Sequence, residues 1–185
     1  MSKLIYSMTA SLDGFIADPN GEIDWSAPDE ELHLFHNEQV RELGAHLLGR
    51  RLYETMVYWE TADQRPDAGP VELDFAQIWQ ALPKVVFSRT LDHVEGNTRL
   101  ATDSLEAEVD RLKREASGDI GIGGAGLAGA AAARGLIDEY RLFVSPVVLG
   151  GGTPYFPPLD HRIQLELVET RAFPGRVLYQ RYRVV

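Results

Sequence analysis

Residues 119–128 read Asp-Ile-Gly-Ile-Gly-Gly-Ala-Gly-Leu-Ala and have the chemistry of an anion-binding turn. The stretch predicts a strand, a tight turn and a helix that runs on to Gly135. Glycine at such a turn lets backbone N–H groups approach a phosphate, and the unpaired N–H groups of the helix's first turn add positive partial charge. Close packing of the helix against the strand would also explain the glycines, because a lone Gly-x-Gly-x-x-Gly is a weak signal.

Two further turns carry arginine. Gly49-Arg50-Arg51 follows the apolar run 45–49, and Ser88-Arg89-Thr90 ends the run 84–88, so each turn is predicted to follow a buried strand. The carboxyl ends of parallel strands meet at one edge of an open sheet, where ligands bind. If the three turns share that edge, they favour a ligand with several phosphates, such as a dinucleotide.

The elements that must position these turns alternate along the chain. Strands are predicted over 3–10, 45–49, 84–88, 119–123 and 139–149, helices over 29–43, 50–56, 74–82, 104–115 and 125–134, and an antiparallel hairpin over 163–185. This order predicts an α/β fold with a mostly parallel central sheet covered by helices and an antiparallel hairpin at the carboxyl-terminal end. No linker or repeat divides the 185 residues, so one domain over residues 1–185 is expected.

Composition narrows the class of function. The chain has no cysteine, which excludes disulfides and thiolate chemistry. A net charge of −10 argues against nucleic acid as a partner. No apolar run approaches the ~20 residues that span a bilayer, and no export signal is recognisable, so a cytoplasmic protein without a membrane partner is expected.

Motifs along the whole chain occur in an order that a known superfamily shares. They are Ser11–Ala17, Leu48–Glu54, Val86–Arg89, Gly123–Leu127, Gly135–Glu139 and Pro146–Gly152. Together they resemble the dihydrofolate reductase-like superfamily, and specifically the branch related to the reductase domain of the bifunctional riboflavin-biosynthesis deaminase-reductase. The resemblance implies the three-layer dihydrofolate reductase-like fold and an NADPH-dependent reductase. A sheet edge and the apolar region 146–158, together with the habit of the riboflavin branch, predict a homodimer.

The resemblance also implies which residues hold NADPH. They are Thr9, Ala10, Ile16, Gly49, Arg50, Arg51, Ser88, Arg89, Gly123, Gly124, Ala125, Gly126 and Leu127. The residues of 123–127 would hold the pyrophosphate on the helix N-terminus, through a peptide bond between Gly123 and Gly124 that is expected to be cis. Ser88 and Arg89 would hold the adenosine 2′-phosphate, which a hydroxyl and a planar guanidinium match well. The backbone of Thr9 and Ala10, with Ile16 over the ring, would seat the nicotinamide.

On the substrate side, the resemblance extends to a tryptophan and a catalytic carboxylate near residue 30. Trp25 and the acids of 28–32 resemble that segment, which makes Glu31, or Glu30, the candidate proton donor and Asp13 a candidate for orienting the substrate. Acids in the first turn of a helix also complement its dipole without any catalytic role. An Asp-Gly turn likewise needs no function to explain it.

Aromatic residues complete the expected substrate site. Trp25, Phe35 and Tyr53 are the candidates that would contact the substrate. His33 and His36 lie three residues apart on a predicted helix, but a surface position explains them better than a metal site, so no metal is expected.

The expected substrate is a small heterocycle, pterin- or aminopyrimidine-like, or a carbonyl compound. The stretch that holds the folate tail in dihydrofolate reductases is not found near Arg65, and Phe15 stands where the riboflavin branch has a basic residue. A non-catalytic module that senses NADPH is the alternative. A Rossmann-type dehydrogenase ranks lower because the glycine-rich turn comes late in the chain.

Overall fold

A large central sheet and a small second sheet organise the computed structural model, which describes residues 2–185. The strands are β1 (Leu4–Ser11), β2 (Phe15–Ala17), β3 (Leu43–Gly49), β4 (Lys84–Phe87), β5 (Thr98–Leu100), β6 (Asp119–Gly123), β7 (Glu139–Ser145), β8 (Thr153–Pro154), β9 (Leu165–Ala172) and β10 (Leu178–Val184). The α-helices are α1 (Glu30–Arg41), α2 (Arg50–Met56), α3 (Pro70–Ala81), α4 (Leu105–Glu115) and α5 (Ala125–Ala132). Short 3-10 turns occur at Asp24–Ser26, Val57–Glu60 and Ala62–Gln64.

The large sheet has the strand order β5-β4-β3-β6-β1-β7-β10-β9, and the small one pairs β2 with β8. Neighbours from β5 to β7 are parallel, whereas β10 and β9 are antiparallel. The predicted α/β fold with its carboxyl-terminal hairpin is therefore confirmed. Because β4, β3 and β6 are adjacent and parallel, the turns that follow them lie at one edge of the sheet.

Local sequence fixes the helix ends. The Asp29 side chain caps α1 by accepting a hydrogen bond from the Leu32 amide at 2.9 Å. The third helix begins at Pro70, four positions before the predicted start, because proline suits a first helical position and the Glu72 carboxylate accepts from the Gly69 amide at 2.9 Å. The longest helices, α1 and α3, have 12 residues each, so no helix in residues 2–185 can cross a membrane.

Alternation along the strands divides the apolar residues between the two faces of the sheet. On one face Tyr6 of β1 and Ile122 of β6 pack in a core that includes residues of α4 and α5. On the opposite face Leu48 of β3 packs with Phe75 and Trp79 of α3. The face that carries α1, α2 and α3 is the one on which a cleft opens.

The outer hairpin strand differs from its prediction. Alternation over 163–173 predicted one buried and one exposed face, but β9 is exposed along nearly its whole length. Leu167 is 52% exposed and Val168 is 45% exposed. The reason is that β9 is the outermost strand of the sheet, beyond the area that the helical layers cover.

Candidate active site

The turns after β3 and β6 pack backbone against backbone. Gly124 has a φ of +90° and forms the N-cap of α5, and a Cβ at this position would lie 3.5 Å from the Cα of Gly49. A Cβ on Gly49 would in turn lie 3.7 Å from the Cβ of Leu127. The two glycines therefore form a cradle that side chains would fill.

The peptide bond between Gly123 and Gly124 is trans, and no cis bond occurs in residues 2–185. The prediction of a cis bond is wrong. The chain reverses instead at Gly124 itself, through a positive φ that other residues adopt only at a cost of roughly 1–2 kcal/mol.

The first turn of α5 has free backbone donors. Gly124 provides no side-chain cap, and the first hydrogen bond of the helix runs from the Ala128 amide to the Gly124 carbonyl at 2.9 Å. Within the described chain, the amides of Ala125, Gly126 and Leu127 have no protein acceptor. Phosphate oxygens would satisfy these donors, so this turn fits a phosphate-bearing group.

Arginine and hydroxyl side chains surround the same edge. The Nη1 of Arg50 donates to the Oγ1 of Thr90 at 2.5 Å, which joins the turn after β3 to the turn after β4. Ser88 is partly buried beside Thr90, whereas Arg51 and Arg89 are exposed. The three sequence-predicted turns are thus brought together, and their charges suit an anion with several negative groups.

A cleft of about 290 Å³ opens between the sheet and the layer formed by α1, α2 and α3. Its floor consists of residues from four adjacent strands: His46 and Leu48 of β3, Gly121 of β6, Ile5, Ser7, Met8 and Thr9 of β1, and Arg141 and Phe143 of β7. Its walls include His33, His36, Gln39, Leu52, Met56, Trp59, Phe75 and Trp79, with Ile16 also lining it. The volume is at the small end of the range for ligand pockets.

Two of the glycines in β6 make room for side chains of the cleft. A Cβ on Gly121 would lie 2.6 Å from the Cδ2 of His46, and a Cβ on Gly123 would overlap the side chain of Leu52. Both explanations of the glycine-rich stretch therefore apply, each to different residues. Gly121 and Gly123 permit close packing, while Gly124 and Gly126 leave the backbone open at the turn.

Three imidazoles line the cleft: His33 and His36, one turn apart on α1, and His46 on β3. Burial lowers the pKa of His36 and that of His46 to about 4, and it also lowers the pKa of His33, so the rings are held neutral. Among residues 2–185, the histidine rings with a protein hydrogen bond are those of His46 and His161. The ring nitrogens of His33 and His36 are therefore available to a ligand.

Arg141 is the one arginine or lysine among the described residues that line the cleft, and none of those residues is an aspartate or glutamate. Its Nε donates to the Oε1 of Glu139 at 2.7 Å, its Nη2 lies 2.7 Å from the same oxygen, and its Nη1 donates to the Oε1 of Gln39. Glu139 also pairs with Lys3 at 3.1 Å. The guanidinium is thus fixed in place, and one carboxylate is shared between two cations.

The carboxylates predicted on the substrate side do not line the cleft. Asp13 accepts hydrogen bonds from the Ser11 hydroxyl at 2.6 Å and from the Gly150 amide at 2.8 Å, and the Ser11 hydrogen bond is the main reason that its pKa is lowered. Its carboxylate thereby connects the turn after β1 to the loop that contains Gly150–Gly152. Glu31 is exposed on α1 and pairs with Arg171 at 2.9 Å.

The predicted substrate aromatics also lie elsewhere. Trp25 donates its Nε1 to a backbone carbonyl within its own turn. Phe35 packs against Phe173, with ring centroids 5.1 Å apart, in a core beyond the cleft. Tyr53 is buried because the register of α2 turns it inward, and its hydroxyl accepts from the Glu95 amide at 2.9 Å.

Of the residues predicted to seat the nicotinamide, Thr9 and Ile16 line the cleft, whereas Ala10 is buried in the opposite core. Sequence reasoning missed Gln39 and Arg141. The available signal was a charged residue in the middle of β7, an otherwise buried strand.

Comparisons with known proteins agree with this architecture. The family described as the RibD C-terminal domain matches residues 2–179. The uncharacterized protein YyaP of Bacillus subtilis is 32% identical over 177 residues, which cover 95% of this chain and 92% of that protein.

Solved structures show the same fold. The diaminohydroxyphosphoribosylaminopyrimidine deaminase/5-amino-6-(5-phosphoribosylamino)uracil reductase of Thermotoga maritima superposes with a TM-score of 0.70 at 16% identity, over 100% of this chain and 57% of that chain. A dihydrofolate reductase from Enterococcus faecalis, complexed with NADP(H), superposes with a TM-score of 0.62 at 18% identity, over 98% of this chain and 96% of that chain. These likenesses confirm the dihydrofolate reductase-like fold.

Proposed function

Because the chain belongs to the RibD C-terminal domain family, as its motifs predicted, we propose that it is an NADPH-dependent reductase of a small heterocyclic or carbonyl compound. The observation that carries the proposal is the first turn of α5 with its free amides, which follows Gly124 beside Gly49 at the edge that also holds Arg50 and Ser88. A reductase-type fold is common to the relatives, and this edge is where an anionic dinucleotide fits the chain.

In this proposal the cofactor spans from the three turns to the mouth of the cleft. The amides of 125–127 hold the pyrophosphate, with Arg50 and Arg51 close to its charges, and Ser88 with Arg89 holds the 2′-phosphate. Thr9 and Ile16 line the cleft and would seat the nicotinamide there. Reduced nicotinamide supplies a hydride to an electrophilic carbon of the substrate.

The residues of the cleft hold the substrate and exclude water. Its apolar walls, which include Trp59, Phe75 and Trp79, favour a flat molecule. The neutral rings of His33 and His36 can donate or accept a hydrogen bond without adding charge. Positioning of substrate beside the nicotinamide is therefore the main contribution of the protein to the rate.

A module that only senses NADPH would need the same edge, so turnover separates the two functions. We expect substrate-dependent loss of NADPH absorbance in a panel of dihydrofolate, dihydropterins, ribosylaminopyrimidines and small carbonyl compounds. Gly124→Ala should weaken NADPH binding because it adds a side chain to the cradle at a positive φ. Gly21→Ala is the matched control, since Gly21 has a φ of +85° in an open turn. NADPH binding without turnover of any compound would favour the sensor.

We also propose that two copies of the chain associate through the exposed end of the sheet. The outermost strand, β9, presents unpaired backbone groups along one side and apolar side chains, among them Leu167 and Val168. A second copy would cover both.

A further inference from the structure

We propose that the substrate carries its reducible group as a carbonyl, and that Arg141 holds the oxygen of that group. The inference rests on the proposed reductase function and narrows its substrate class. It favours planar oxo compounds over diaminopyrimidines, which present N–H donors and no oxygen, and it assigns specificity to a residue on β7 that the cofactor edge does not involve.

The charge of the residues that line the cleft favours an oxygen ligand. Arg141 is the one formally charged side chain among the described residues that line the cleft, since burial holds the nearby imidazoles neutral. Its partner Glu139 is shared with Lys3, so two cations face one carboxylate in this group. The guanidinium of Arg141 is therefore the cationic group that a ligand meets in the cleft, and it attracts an oxygen that carries or develops negative charge.

Arg141 also has N–H donors that the protein does not use. A guanidinium has five N–H groups. In Arg141, Nε and Nη2 each direct one N–H group to Glu139, and Nη1 directs one to Gln39. The second N–H group of Nη1 and that of Nη2 are left for a ligand. The Gln39 oxygen also accepts from the Tyr179 hydroxyl at 3.4 Å, so both of its hydrogen-bond partners are donors and the amide N–H₂ group of Gln39 is a further donor. The free N–H groups of Arg141 and of the Gln39 amide are thus donors, and they require an acceptor.

The described residues that line the cleft include no carboxylate. Diaminopyrimidines present adjacent N–H donors and no oxygen, and a carboxylate pairs well with such donors. Among residues 2–185, no aspartate or glutamate lines the cleft, and Asp13 and Glu31 are both engaged outside it. Such a ligand would find no carboxylate to pair with its donors and would place some of them against the N–H groups of Arg141.

The reaction balances with the cofactor of the proposed function. The carbonyl carbon receives a hydride from the reduced nicotinamide, which is thereby oxidised. The π pair of the C=O bond moves to the oxygen beside Arg141, and that oxygen takes up one proton from solvent. The product is an alcohol, and the guanidinium stabilises the negative charge that develops on oxygen.

The test uses the NADPH-loaded protein with two planar probes, isatin as the carbonyl compound and diaminopyrimidine as the amino compound. Binding is followed by quenching of tryptophan fluorescence, because Trp59 and Trp79 line the cleft, and turnover by the loss of NADPH absorbance. Isatin should bind and be reduced, and diaminopyrimidine should bind roughly tenfold more weakly or not at all.

Variants assign the effect to Arg141. The double variant Glu139→Gln, Arg141→Met removes both charges of the buried pair, which avoids leaving Glu139 buried without its partner. It should lose isatin affinity roughly 10- to 100-fold and keep its NADPH affinity. Arg183→Met, at an exposed ion pair on β10, is the control and should change neither. Should the double variant not fold, Arg141→Lys keeps the charge but loses the planar fork, and roughly tenfold weaker isatin binding is expected.

Three results would overturn the inference while NADPH still binds: preference for diaminopyrimidine, no binding of isatin, or unchanged isatin affinity in the folded Arg141 variant. Failure of NADPH itself to bind is a different result. It would contradict the proposed function on which the inference rests.

Discussion

Gly121 leaves room for the imidazole of His46, its register partner in the neighbouring strand: a Cβ at Gly121 would lie 2.6 Å from the Cδ2 and 2.8 Å from the Nε2 of that ring. The ring of His46 also makes an edge contact with Trp79, with centroids 5.8 Å apart. The glycine thus sets the shape of the cleft floor.

The variant Gly121→Ala should displace His46 and reshape the cleft. Overpacking of this kind costs roughly 1–3 kcal/mol, which urea denaturation can measure as a lower midpoint. Gly126→Ala is the matched control, because no atom beyond the neighbouring backbone of α5 lies within 4 Å of the added methyl group. Equal stability of Gly121→Ala and the unaltered protein would show that His46 does not occupy this space.

Stability should depend on pH through the buried histidines. Burial lowers the pKa of His36 and of His46 from 6.5 to about 4, so between these values the unfolded chain binds protons that the folded chain does not. Above about pH 6.5 these protons are bound by neither state, and the free energy of unfolding is highest. As the pH falls toward 4, it decreases by an amount on the order of 3 kcal/mol for each histidine. Urea denaturation across this range measures the slope.

A histidine variant separates the effect of histidine protonation from the effect of carboxylate protonation at lower pH. Hydrogen bonds from Arg99 lower the pKa of Glu108 to about 2, so its contribution is lost only at more acidic pH. His36→Phe should reduce the slope because it removes one of the buried imidazoles, and His93→Asn, at an exposed position, is the control variant. Identical slopes for both variants would contradict the assignment.

Cofactor choice should depend on Arg89. In the proposed site its guanidinium contacts the 2′-phosphate, which NADH lacks. Arg89→Ala should therefore weaken NADPH binding by roughly 1.5–3 kcal/mol and leave NADH binding almost unchanged, as measured by calorimetry. Arg114→Ala, at an exposed position on α4, is the control. Equal losses for the two cofactors would place Arg89 away from the 2′-phosphate.

Association should depend on the exposed strand β9. We expect a dimer mass by light scattering at micromolar concentration, and Leu167→Lys should convert it to a monomer, because the charge would be buried in the interface. Leu12→Lys alters an exposed leucine outside β9 and should not change the mass. A monomer mass for the unaltered protein would contradict the proposed assembly.

Sequence reasoning found those parts of the fold and site that local chemistry encodes. The turns at Gly49, Ser88 and Gly124 were identified because glycine and small polar residues end strands, and parallel order then predicted their common edge. The helix predicted over 104–115 from apolar spacing is α4, and the Ser104 side chain caps it by accepting from the Ala107 amide at 3.2 Å.

The lining of the cleft was harder to predict from the sequence, because tertiary packing brings its residues together. Gln39 and Arg141 meet across 102 positions of sequence, and neither has a local signature of binding. Tyr53 was assigned to the substrate by resemblance, but the helical register directs it into the core. The cis bond was also carried over by resemblance, whereas Gly124 reverses the chain through its own φ.

Amide hydrogen exchange with and without NADPH tests the central claim most directly, since it reports where the cofactor binds. Saturating NADPH should slow exchange in peptides that span 49–52, 88–91 and 123–127, with the strongest protection at the first turn of α5. Peptides over 161–164, remote from the proposed site, should be unaffected. Binding of NADPH without protection at these three turns, or with protection confined to another surface, would contradict the account.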